Sequence, residues 1–82
     1  MNRLEIRGLP AALFRRYLQE EFDGRCTGDG SVEGDGWRAR FIDGAPLRIG
    51  LVMTPVLFVE FDGERAAEAS AFVARKAMRG GG

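Results

Sequence analysis

Residues Leu47–Phe61, LRIGLVMTPVLFVEF, form the longest apolar run in the chain, broken once at Met53-Thr54-Pro55. Pro55 has no amide donor and drives Thr54 out of the helical region, so a helix does not pass through it. Each half has the length of an ordinary strand, and Ile49, Val52, Val56 and Val59 are β-branched. The pattern predicts two neighbouring strands joined by a tight connection. In the first, Leu47, Ile49 and Leu51 point inward while Arg48, Gly50 and Val52 point outward. In the second, Leu57, Val59 and Phe61 face inward and Val56, Phe58 and Glu60 outward.

The flanking sequence supplies the other elements. Upstream, WRARFI alternates Trp37, Ala39 and Phe41 with Arg38, Arg40 and Ile42, and Asp43-Gly44 is a hairpin turn signal leading into the Leu47 strand. Before it, Gly24–Gly36 is glycine-rich and carries Asp29, Glu33 and Asp35. It reads as loop, or as a short strand around Arg25–Thr27 or Ser31–Glu33. At the N-terminus, Asn2–Arg7 alternates Leu4 and Ile6 with Arg3, Glu5 and Arg7, as a half-buried strand does. Pro10 suits the first turn of a helix over Ala11–Phe22, whose Leu13, Phe14, Tyr17, Leu18 and Phe22 share one face. Asp23-Gly24 places a glycine where helices commonly end.

Downstream of the apolar run, a second helix is predicted from Gly63 to Met78, with Asp62 as its N-cap. Its buried face is Ala66, Ala69, Val73 and Ala77, and Gly80–Gly82 terminate it. The resulting fold class is α+β: strand, helix, three or four strands, helix, an antiparallel sheet with both helices on one face. The expected core is Leu4, Ile6, Phe14, Tyr17, Leu18, Trp37, Phe41, Leu47, Ile49, Leu51, Leu57, Val59, Phe61 and Val73.

Composition narrows the class further. Eighty-two residues suit one domain, 1–82, with 45% apolar residues to form a single core. The chain has no apolar run long enough to span a membrane and no signal-peptide pattern, and Cys26 is its lone cysteine, so a cytoplasmic location is expected. Twelve basic residues balance twelve acidic ones, so no overall field draws in nucleic acid. Lys76 is the one lysine among eleven arginines, and Asn and Gln occur once each, a balance that fits a GC-rich genome and a thermophile.

Catalytic chemistry finds little support. There is no histidine to move protons near neutral pH, Ser31 and Ser70 lack an evident base, and Cys26 has only Arg25 beside it. Asp29, Ser31, Glu33, Gly34 and Asp35 match the first half of an EF-hand loop. Arg40, however, stands where the bidentate acid belongs, and a strand follows in place of a helix. Neither a metal nor any other cofactor is expected, and the chain reads as a non-enzyme.

The informative constellation is the outer sheet face. Alternation places Arg3, Arg7, Arg38, Arg40 and Arg48 there with Val56 and Phe58, and Glu5 and Glu60 as its acids. Such a face contacts a protein partner or a second copy of the chain. Alternatively, its guanidiniums bind phosphates while Phe58 stacks on the bases of single-stranded nucleic acid.

IRGLP and LFVEFDGERAAEASAF resemble the two signature strands of an RNA-recognition motif at Phe58 and Phe61. Val56, Pro55 and Ile6 depart from the pattern where an aromatic, a glycine and an aromatic are required. From LEIRGLP through WRARFIDG to LFVEFDGERAAEA, the chain resembles a small uncharacterised family with a TATA-binding-protein-like fold. Its relatives form the C-terminal domain of proteins related to the small, sulfur-carrying subunit of molybdopterin synthase. The resemblance implies that fold and a connection to molybdenum-cofactor biosynthesis; it assigns no functional residue. Sulfur carriers end in a flexible Gly-Gly that is activated by adenylation, and Arg79-Gly80-Gly81-Gly82 invites the comparison, although in carriers that tail follows a strand. The reading is a non-catalytic binding or regulatory module, with a nucleic-acid binder and a glycine-tailed carrier as alternatives.

Overall fold

The computed structural model describes residues 2–80 and the side chains of residues 2–78; Gly81 and Gly82 lie outside the described residues. The elements run β1 (Asn2–Arg7), α1 (Ala11–Glu21), β2 (Arg25–Cys26), β3 (Val32–Gly34), β4 (Trp37–Asp43), β5 (Leu47–Ile49), β6 (Val52–Thr54), β7 (Val56–Asp62) and α2 (Ala66–Gly80). Five strands form one antiparallel sheet in the order β1-β7-β4-β3-β2, and β5 pairs only with β6. The two helices pack on the inner face, α2 over β1, β7 and β4 and α1 over β2 and β3. The expected α+β architecture is therefore present.

Period-two alternation explains the core. β7 sends Leu57, Val59 and Phe61 inward between Ile6 of β1 and Trp37 and Ala39 of β4. Phe14 and Leu18 of α1 and Ala66, Ala69, Phe72 and Val73 of α2 close the layer from above. Alanines at two of these positions let α2 lie close to the sheet, and Phe72 reaches across to Phe22, their ring centroids 4.9 Å apart. Phe22 also meets the edge of Trp37 at 5.4 Å. Each fully buried large side chain stabilises the fold by about 1.5–3 kcal/mol relative to exposure.

Several expectations are corrected. The glycine-rich stretch holds both short strands as a hairpin, and its two-residue turn into β4 is Asp35-Gly36. Asp43-Gly44 is not a tight turn, because β4 pairs with β7 and Gly44 N–H continues that ladder to the Val56 carbonyl at 2.9 Å. After α1 the left-handed residue is Asp23, at φ 55°, rather than Gly24. Asp62 ends β7 and does not cap α2, which begins at Ala66 after a turn in which the Ala66 N–H donates to the Gly63 carbonyl.

The largest correction concerns Leu47–Thr54. Leu47 is only half-buried, and Ile49 and Leu51, both assigned to the core, are exposed. The β4–β7 register pairs residues whose numbers sum to 100, as in Ala39 with Phe61, whereas β5–β6 pairs Leu47 with Thr54, a sum of 101. One extra residue is thus inserted: Ala45-Pro46 stands opposite Pro55, the arrangement of a β-bulge. Proline on both sides removes the amide donors at the same level, so the ladder stops and resumes beyond. β5 and β6 are the far end of the β4–β7 ribbon, continued past the main sheet. The molecule is accordingly elongated, 42 × 25 × 20 Å.

Candidate protein-contact surface

The outer face of the sheet is built from the alternate residues left over by the core. Arg3 and Arg40 flank Glu60 across β1, β7 and β4, and Glu5 and Ile42 flank Phe58. Arg38 lies between Asp62 on β7 and Glu33 on β3. Glu5 and Glu60 are thus joined by Glu33 and Asp62, and the face is more evenly charged than alternation within single strands suggested.

Its arginines are engaged. Arg40 Nη2 donates to Glu60 Oε1 at 2.8 Å, Arg7 Nε to Glu5 Oε2 at 2.7 Å and Arg38 Nη2 to Asp29 Oδ2 at 2.9 Å. The Arg3 guanidinium sits over the Phe58 ring, 4.4 Å from its centroid. The backbone of Gly44 also approaches Phe58 so closely that a Cβ there would overlap the ring edge. Phe58 is half-buried, and Arg3 covers one face of its ring. Arg48 is not on this sheet at all: it belongs to β5, where its Nε donates to the Gly50 carbonyl at 3.1 Å. Water screens the exposed pairs, so they contribute little to stability.

The loop between β2 and β3 is closed by its own polar groups. The Thr27 hydroxyl, the Ser31 N–H and the Arg38 guanidinium all address Asp29 and hold its carboxyl well below the usual carboxylate range. No group of three or more Asp, Glu or Cys side chains converges among the described residues. Cys26 is exposed, with Gln19 Nε2 donating to its Sγ at 2.7 Å.

The β5–β6 ribbon is chemically different. Ile49 pairs with Val52, leaving Gly50 and Leu51 as the turn, and Gly50 adopts φ 61° as such hairpin turns require. Ile49, Leu51, Val52 and Met53 are 65%, 94%, 63% and 58% exposed. Register places Leu47, Ile49, Val52 and Thr54 on one face and Arg48 and Met53 on the other. Sequence reasoning took Leu47, Ile49 and Leu51 for core because periodicity reports a face, not what covers it.

Between α1 and α2 lies a cleft of about 390 Å³ lined by Glu21, Phe72, Arg75, Lys76 and Met78. Lys76 Nζ pairs with Glu21 at 2.6 Å and lies 4.9 Å from the Tyr17 ring centroid. No helix among the described residues is long and apolar enough to cross a membrane. A family model described as archaeal MoaD-like protein matches residues 2–82. No curated protein matches the chain.

Proposed function

The chain belongs to the archaeal MoaD-like protein family, and we propose that it is a protein-binding module whose contact surface is the β5–β6 ribbon, flanked by the arginine-bearing sheet face. The exposed apolar cluster at Ile49, Leu51, Val52 and Met53 carries this reading. A small domain has little apolar surface to spare, and a contiguous exposed patch of this kind marks an interaction site. The arginines favour a protein over nucleic acid. Arg7, Arg38 and Arg40 are matched by carboxylates, Arg3 by Phe58 and Arg48 by a carbonyl, which leaves little unspent charge for phosphates.

Replacing Ile49, Leu51 and Val52 together with serine or threonine tests the reading. The folded spectrum and the unfolding midpoint should be retained, because exposed positions outside special conformations change stability by less than about 0.5 kcal/mol each. Cross-linking in native extract should yield an adduct with wild type that the triple variant loses. An adduct of equal yield from both would place the contact elsewhere.

The MoaD-like description also supports a carrier reading, with activation at the terminal glycine. An activating enzyme needs an extended tail, whereas α2 keeps the backbone helical through Gly80. Incubation with ATP and an adenylating enzyme, followed by mass spectrometry, is expected to show neither acyl-adenylate nor thiocarboxylate. Either species would reverse the order of the two readings.

A further inference from the structure

Resting on the ribbon as the contact surface, we infer that its occupant is a second copy of this chain, the two ribbons packing their Ile49/Val52 faces together around a two-fold axis.

Charge is the first argument. In a two-fold contact every group on the patch meets its own equivalent, so a charged patch repels itself and an uncharged one does not. Ile49, Leu51, Val52 and Met53 are uncharged, and the ribbon's one charge, Arg48, lies on the face away from Ile49 and Val52. Its guanidinium is turned onto the Gly50 carbonyl of its own strand. Packing the apolar faces together therefore buries no unpaired ion, the most costly defect an interface can have. At twelve cations and twelve anions, the copies feel no net repulsion on approach.

Area is the second. Ile49, Val52 and the turn residue Leu51 expose on the order of 400 Å² per copy, so two copies bury about 800 Å² before the rim of Leu47 and Thr54 is included, the size of a weak, reversible contact. The ribbon also projects clear of the helical layer, so a partner can reach it without displacing any element. Another receptacle among the described residues is the cleft between α1 and α2. Its rim of Glu21, Arg75 and Lys76 does not match an uncharged tip. A tip-to-cleft contact is also head-to-tail, and builds a ring or an open filament.

Sedimentation velocity on the full chain, from about 1 to about 500 µM, tests the inference across the affinity range such an interface supports. The 9.0 kDa chain is expected to pass from monomer to a species of twice that mass and go no further. Ile49→Asp and Val52→Asp, each at an exposed position, should keep the folded spectrum and weaken association by at least about tenfold. A wild-type chain that stays monomeric throughout overturns the self-association but leaves a different partner for the ribbon open. A dimer of unchanged affinity in both variants overturns the ribbon as contact surface altogether. Growth beyond the dimer indicates the head-to-tail contact and overturns the two-fold one.

Discussion

Replacing Phe61 with alanine is expected to cost about 3–5 kcal/mol, a large share of the roughly 5–15 kcal/mol that holds a domain of this kind together. Phe61 is completely buried on the central strand β7, opposite Asn2 of β1 and Ala39 of β4. Its neighbours are held by hydrogen-bonded ladders on both sides, so the cavity cannot collapse and both the transfer and the cavity contributions apply in full. Urea unfolding followed by Trp37 fluorescence measures the loss. Ile49→Ala, at a position that sequence periodicity ranks beside Phe61, is expected to change stability by less than about 1 kcal/mol. Equal losses at the two sites would mean that the ribbon folds back onto the body.

Gly63→Ala is expected to destabilise by at least about 2 kcal/mol, because backbone strain and steric overlap act together there. Gly63 stands at φ 107°, between β7 and α2, and a Cβ on it would overlap the backbone carbonyl of Gly36. That carbonyl is fixed, since it accepts the Arg65 N–H at 2.8 Å and belongs to the turn between β3 and β4. Neither partner can yield without disturbing both the turn and the start of α2. The unfolding midpoint of the variant in urea, at unchanged slope, gives the size of the effect. A variant as stable as wild type would show that the two turns are not locked together.

Both predictions mark what was legible beforehand. The α+β order, β1, both helices, and the inward set Leu57, Val59 and Phe61 follow from local periodicity, which side-chain spacing along one element imposes by itself. Turns were harder. The chain contains five Asp-Gly pairs, at 23, 29, 35, 43 and 62, and each carries the same local signal. Asp35-Gly36 forms the two-residue hairpin turn, Asp23 takes the left-handed position after α1, and Gly63 links β7 to α2. Which role each pair plays depends on the strand that lies opposite, and that is non-local.

The candidate surface divides in the same way. Sequence alone placed Arg3, Arg7, Arg38, Arg40 and Phe58 on one face, because alternation along β1, β4 and β7 is a property of each strand. It could not pair them with Glu33, Asp62 and Asp29, which neighbouring strands and a loop bring in. Nor could it detach Arg48 and expose Ile49, Leu51, Val52 and Met53. Those outcomes depend on Ala45-Pro46 meeting Pro55 across the ribbon, an encounter between residues whose register only the folded ladder sets. The apolar pattern of Leu47–Thr54 determined that a strand forms there. Tertiary structure determined that the helical layer ends before reaching it, and burial requires that second layer.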